Sequence, residues 1–383
     1  MNISYAALLE QVKAYQPGKY NATRNYINGA VTNWSPYISR GLLSPVLVMD
    51  QLKKNYNKQE WIGFMQQMAW REYFQRVWQQ KGDLILEDLK SAQAKVVLES
   101  LPIPISEGNT GIHALDSAIH HLYEKGMMHN HIRMYISMLH SNIFKAAWLP
   151  GAKWMYANLL DHDPAANFLS WQWVAGTFSS KQYIANQENI NKYTSTKQLG
   201  TYLDTEYENL QTSIFDDSNT IQSKLLINWP NPLDQKFDID VVTILKNIEK
   251  TNQSKIFDIN QTLPNTPCCI YNSFTLDPLW QADESMNRIL LLEPNHFEQF
   301  PVTEKVLQFI VDLAITNIPD IQIFIGNFED LFQQIKIKIY FKEHPTTLHY
   351  KGIQETRDWL FPEVNGYFPS FFGYWKKCER YLK

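Results

Sequence analysis

What most limits how this chain can fold is a change in its hydrophobic grammar near residue 205. Upstream, Asn55–Gln80, Thr110–Lys125, His129–Trp148 and Pro164–Gly176 each repeat apolar residues at helical spacing, with capping or stop residues at their ends. Downstream, Arg288–Glu293, Ile321–Ile325 and Ile337–Phe341 are short β-rich runs, separated by the helical patterns Val302–Ile315 and Phe328–Ile335. Such alternation implies a parallel sheet with crossover helices. The expected fold class is therefore multidomain α and α/β. An all-helical domain covers 1–205, a linker covers 206–223 where acids, Ser, Thr and Asn break the periodicity, and a smaller parallel-sheet α/β domain covers 224–383.

Charge follows the same division. Residues 1–210 carry 19 Lys+Arg against 17 Asp+Glu, and 211–383 carry 16 against 22. A net charge of -4 argues against a strongly basic nucleic-acid binder but says little about a local positive cleft. Aromatic content is high, with 12 Trp, 20 Tyr and 20 Phe, which makes flat apolar ligands plausible. Three cysteines, Cys268, Cys269 and Cys378, form neither a CxxC pair nor a disulfide framework, as expected in a reducing compartment. With no leader pattern at the N-terminus and no run of about 20 apolar residues, the expected location is cytoplasmic.

Several chemistries lack their signatures. No GxGxxG or GxxxxGK[ST] phosphate loop is present, and neither is HExxH or GxSxG. Seven of the ten histidines fall within 113–162, but neighbours such as His120 and His121 point to different sides of a helix and no carboxylate stands at zincin spacing, so no metal is expected. The helix beginning at His129 is more informative. Ile132, Ile136, Leu139 and Ile143 form an apolar stripe, and Asn130, Arg133, Ser137 and Ser141 form a polar one beside it. Asp163 before Pro164 reads as an N-cap, which leaves Asp161 without that duty and able to pair with Arg133 and to accept from a ligand. In the next helix Asn167 and Trp171 share a face, with Trp173 roughly opposite.

Together these residues resemble the helical FAD-binding domain of the photolyase/cryptochrome flavoproteins over about 20–195. The ordered matches are Val31–Tyr37 followed by Gly41–Pro45, Trp70–Phe74, Thr110-Gly111 with Asp116, Met128–Asn130 with Arg133-Met134, Asp161–Asp163 with Ala165–Asn167, and Trp171–Trp173. The resemblance implies bound FAD. It assigns Tyr20, Val31, Thr32, Asn33, Trp34 and Ser35 to the phosphate and sugar region. Arg133, Asp161, His162 and Asp163 fall near the flavin's polar edge, and Asn167 faces its N5. It also implies a pocket for a flipped-out pyrimidine dimer, lined by Gln67, Trp70, Asn130, His131, Met134 and Trp173, with Arg71 at the rim. Trp171 and Trp148 would carry electrons to the flavin, while the third position, near Lys95 or Leu98–Ile105, has no Trp.

Departures from the family pattern accompany the match. Val31 stands where a hydroxyl residue is usual, Asn33 where a basic one is, and Gln67 where dimer-repairing enzymes typically carry Glu. Asn167 is similar to the repair enzymes. The flavin motifs also precede the α/β part instead of following it, so that part is either a permuted antenna-like domain or an unrelated addition, and the antenna chromophore stays unassigned. The expected function is light-dependent repair of cyclobutane pyrimidine dimers in UV-damaged DNA, the alternative a cryptochrome-like blue-light sensor without repair activity.

Overall fold

The computed structural model describes residues 4–215, 234–335 and 337–382. It contains the two kinds of architecture the grammar demands, many helices and one five-stranded sheet. The chain groups into two compact units: Met1–Gly18 with Thr32–Gly82 and Ile239–Lys383, and Lys19–Val31 with Asp83–Asp238. Compactness thus assigns the long helix Lys58–Lys81 to the unit that contains the sheet. No helix among the described residues is long and apolar enough to cross a membrane.

In the first unit, β1 (Cys268–Tyr271), β2 (Asn287–Leu292), β3 (Gln322–Ile325), β4 (Ile339–Lys342) and β5 (Ile353–Glu355) pair in the order β3-β2-β1-β4-β5, all parallel. Ile270 of the central strand registers with Ile289 on one side and Phe341 on the other. The helices Glu304–Asn317 and Phe328–Gln334 are the crossovers that a parallel arrangement requires. The central strand has no period-2 pattern, because all four of its residues are buried. Burial raises the thiol pKa of both Cys268 and Cys269, the latter to about 12, which keeps them protonated.

The sheet order reverses direction between β1 and β4, where open α/β sheets commonly seat a ligand beyond the strand ends. Here protein occupies that place. Fully buried Arg40 donates to the Ser273 carbonyl at 2.9 Å and lies 4.8 Å over the Phe274 ring, which stacks on His344 at 4.8 Å. Gly41 beside it has φ +73, and an added Cβ would meet the Phe274 carbonyl oxygen at 2.7 Å.

The helix Lys58–Lys81 begins with a capping box formed by Asn57 and Glu60 and ends at Gly82. Its buried Glu72 accepts hydrogen bonds from the backbone N–H of Leu360, from that of Phe361 at 2.9 Å and from the Tyr374 hydroxyl at 2.6 Å. One turn on, Arg76 lies 3.4 Å over Trp359, whose ring also meets Arg357 at 3.9 Å. Half of the aromatic residues in 361–382 are thereby core: Phe361, with Phe371, Tyr374 and Trp375 on the helix Phe371–Cys378.

The second unit holds the helices His113–Lys125, Asn130–Met138, Trp148–Asn158, Pro164–Ala175 and Gln187–Thr194. Two expectations are corrected here. The single helix expected over His129–Trp148 ends at Met138, widens into a π turn over Leu139–Ile143, and breaks where Lys145 takes φ 55. Trp148 therefore opens a new helix. Within the expected linker, Tyr207–Phe215 is helical, anchored by fully buried Leu210, while 216–223 lie outside the described residues.

Removing the Glu72 carboxylate strands three donors inside the first unit. Glu72→Ala is expected to lower unfolding free energy by on the order of 3 kcal/mol or more, from about 1–3 kcal/mol per buried unsatisfied group. Glu72→Gln, which keeps one carbonyl acceptor, is expected to cost less. Urea unfolding followed by tryptophan fluorescence measures both, and equal stability of wild type and Glu72→Ala contradicts the anchoring role.

Candidate functional site

The candidate site of the second unit is built on two helix starts and one helix junction. His129 caps the helix Asn130–Met138 through its own ring, Nδ1 accepting from the His131 N–H at 3.2 Å. One turn into that helix, Arg133 Nε donates to the Met128 carbonyl at 2.9 Å, and Nη2 reaches both oxygens of Asp161 at 3.0 and 2.9 Å. Asp161 is 6% exposed at its side chain and Arg133 23%, so the pair is sheltered yet open at the guanidinium edge. Such a charge-assisted pair holds its geometry better than two independent side chains would.

The junction that presents Asp161 is held by its neighbours. Asp163 Oδ1 accepts from the Ala166 N–H at 2.8 Å, capping Pro164–Ala175. His162 is buried, with Nδ1 3.1 Å from the Leu159 carbonyl and its ring 4.5 Å from Tyr156. Asn167 lies on the first turns of the capped helix and its Nδ2 donates to the Ala152 carbonyl at 2.9 Å. That bond fixes the amide so that Oδ1 is left without a partner among the described residues. Ser137, on the polar stripe, spends its hydroxyl on the Arg133 carbonyl at 2.8 Å.

Trp171 and Trp173 divide as their spacing requires, one 2% and the other 37% exposed. Trp173 meets Tyr183 at 6.0 Å. Trp171 is packed so closely that a Cβ on Gly151 would sit 2.6 Å from its ring, so only glycine admits this approach of helix to indole. Its other ring neighbour is His140, edge-on at 5.2 Å. Trp148 Nε1 donates to Asp88 at 2.7 Å, and its ring meets Phe168 at 6.5 Å.

The remaining predicted residues separate between the units. Tyr20 and Val31 belong to the second, where the Ile27 N–H donates to the Tyr193 carbonyl at 3.0 Å and ties their segment to the helix Gln187–Thr194. Thr32, Asn33, Trp34 and Ser35 belong to the first. There Trp34 is core: its Nε1 donates to Gln11 at 3.3 Å and its ring meets Tyr15 at 5.0 Å. Asn33 has φ 56 and is exposed, and Ser35 opens the short helix Ser35–Ser39. Gln67, Trp70 and Arg71 also belong to the first unit, whereas Asn130, His131, Met134 and Trp173 belong to the second. Arg71 donates to Ser39 Oγ at 2.6 Å. The Trp70 ring stacks on Phe371 at 3.7 Å with an interplanar angle of 11°.

Three features of the site have no signal in the local sequence. One is the aromatic box around His131: Tyr135 and Tyr193 each stand at 4.7 Å, and burial with its cationic neighbours lowers the imidazole pKa to about 4. Another is His140, which lies wholly inside with Nε2 2.8 Å from the Ala147 carbonyl and whose pKa burial lowers to about 4. The third is Gly151, because its neighbour Trp171 is distant in sequence. Among the described residues, no group of three or more His, Cys, Asp or Glu is placed to hold a metal ion.

Comparison with known proteins gives these residues a context. Residues 64–213 match the model of the FAD-binding domain of DNA photolyase. The chain is 30% identical to a chloroplastic/mitochondrial cryptochrome DASH of Oryza sativa over 200 residues, 48% of this chain and 32% of that one. It is 28% identical to a deoxyribodipyrimidine photo-lyase of Agrobacterium fabrum over 159 residues, 37% of this chain and 31% of that one. This chain thus spans about a third of the length of these relatives. Among solved structures, a Synechocystis cryptochrome is similar at TM-score 0.45 and 21% identity, covering 50% of this chain and 43% of that one.

FAD fits the donor set found here. Arg133 and Asp161 offer fixed opposite charges, Asn167 offers its unpartnered Oδ1, and the buried Nε2 atoms of His129 and His131 have no partner among the described residues.

A pH test addresses the buried imidazole. His140 takes up its proton near pH 4 when folded and near 6.5 when unfolded, so stability rises with pH between those values and is lost on acidification. Unfolding free energy of wild type is expected to fall from pH 6.5 to 4 more steeply than that of His140→Gln, by at most roughly 1.4 kcal/mol per pH unit. Parallel slopes in denaturant titrations contradict this. Residues 64–213 are thus similar to the FAD-binding domain of DNA photolyase.

Proposed function

We propose that this chain binds FAD through its second unit and uses it for light-dependent repair of cyclobutane pyrimidine dimers in DNA. The observation that carries this reading is the sheltered Arg133–Asp161 pair with Asn167 on the adjoining helix. When bound, reduced and excited by blue light, FAD supplies an electron that opens the cyclobutane ring and is returned, so the reaction needs no net oxidant. The protein's tasks are then to hold, orient and exclude water. Arg133 fixes Asp161 as an acceptor for a polar ring edge, and Asn167 presents an amide oxygen. The exposed Trp173 offers a face for an extruded base.

Tightly packed aromatics suit the electron path as well. Trp171 and Trp148 are 2% and 4% exposed, and Trp171 is wedged between Gly151 and His140. His140 is neutral at physiological pH and adds no charge beside the indole.

A second reading, a blue-light sensor without repair, is favoured by one specific contact. The Trp70 face on which a pyrimidine would stack is covered by Phe371 at 3.7 Å. Under this reading the flavin is photoreduced with no DNA lesion engaged.

The deciding experiment exposes FAD-loaded, reduced protein to an oligonucleotide with one defined thymine dimer and compares dimer loss in blue light and in the dark. Repair predicts light-dependent loss. It also predicts that Trp173→Ala binds the lesion roughly 5- to 150-fold more weakly while retaining FAD, the range that about 1–3 kcal/mol of stacking implies. No loss by flavin-loaded wild type supports the sensor.

A further inference from the structure

One surface of the first unit is used neither by its core nor by the flavin residues. The helix Phe371–Cys378 buries Phe371, Tyr374, Trp375 and Cys378, and its opposite side is exposed. Along that side Phe372 and Lys376 stand four apart with Lys377 beside them, and Arg380 and Tyr381 follow, also exposed, on the 3-10 turn Glu379–Tyr381. Phe372 is 70% exposed and Tyr381 47%. Lys376, Lys377 and Arg380 have no hydrogen-bond or ion-pair partner among the described residues, and Glu379 is the one acid within the row. At the row's start Phe372 meets the half-buried Trp70 edge-to-face at 6.5 Å.

We propose that this face is a single-stranded DNA track, with Lys376, Lys377 and Arg380 on the phosphates and Phe372 and Tyr381 stacking on bases. It rests on the DNA reading above but not on the photochemistry. Cations interleaved with exposed rings are what backbone-tracking, sequence-tolerant binding of a single strand requires. Charge complementarity favours a polyanion: three basic side chains and one acid stand together on a chain whose net charge is -4. The track begins beside Trp70. An incoming strand would approach the ring now stacked on Phe371 from its Phe372 side.

The test is fluorescence anisotropy of the full chain, in the dark, with labelled undamaged oligothymidylate of about 16 nucleotides over a salt series. Wild type is expected to bind with a salt slope that shrinks by about 1.4 in Lys376→Gln/Lys377→Gln, roughly 0.7 for each single-strand phosphate no longer neutralised. Phe372→Ala is expected to weaken binding about fivefold or more at unchanged slope. Both variants alter exposed side chains, and circular dichroism checks that they fold as wild type does. Unchanged affinity and slope in both variants overturns the track, as does a Phe372-dependent dimer in ultracentrifugation without DNA binding. Dimer repair in light with no variant effect on oligothymidylate binding overturns the track alone. Oligothymidylate binding with no repair overturns only the photolyase reading.

Discussion

A buried carboxylate organises the unit that contains the sheet. Glu72 sits at the middle of a 24-residue helix and accepts from two backbone N–H groups and one hydroxyl, all from residues nearly 300 positions away. Burial raises its pKa, while the Tyr374 hydroxyl and the two N–H groups oppose that rise. A carboxylate in that setting holds its donors firmly because each would otherwise be stranded in the core. Its consequences spread along the helix. Tyr374 is held above Glu72, Phe371 falls on Trp70, Trp359 sits over Arg76, and Phe372 with the basic residues is left facing outward.

The second unit depends on an ion pair of a different kind. Asp161 is buried but its partner Arg133 is partly exposed, so water reaches the guanidinium and moderates their attraction, and the pair's value lies in fixed geometry more than in stability. That geometry rests on covalent and capping constraints from both sides. Asp163 caps the helix that carries Asn167, and His129 caps the helix that carries Arg133. Close packing completes the arrangement, since Gly151 lets the Trp148–Asn158 helix lie directly on the Trp171 ring.

Legibility in the sequence followed the range of the interactions. Helices with strong caps, such as Pro164–Ala175, were readable because Asp163, Pro164 and Gly176 act locally. So were the crossover helices and the strands β2, β3 and β4, whose apolar runs are bounded by turns. The central strand Cys268–Tyr271 was not, since a strand buried on both faces has no alternation to read. The break after Met138 was hidden because 139–148 remains apolar enough to continue a helical pattern, and only the backbone at Lys145 shows why it stops. At the site, the Arg133–Asp161 pair and the division between Trp171 and Trp173 follow from spacing and capping. The Trp70–Phe371 stack and the place of His140 beside Trp171 join residues far apart in sequence, with no local signal for either.

The central claim is that the Arg133–Asp161 pair with Asn167 forms part of a flavin site, and flavin content measures it most directly. Protein refolded or purified with excess FAD, then desalted and heat-denatured, releases its bound flavin for fluorescence quantitation. The account predicts about one FAD per wild-type chain and a loss of at least tenfold in Asp161→Asn retaining wild-type circular dichroism, since one lost charge-assisted bond is worth roughly 1.5–3 kcal/mol. Folded wild type that takes up no FAD, or Asp161→Asn that keeps it fully, would contradict it.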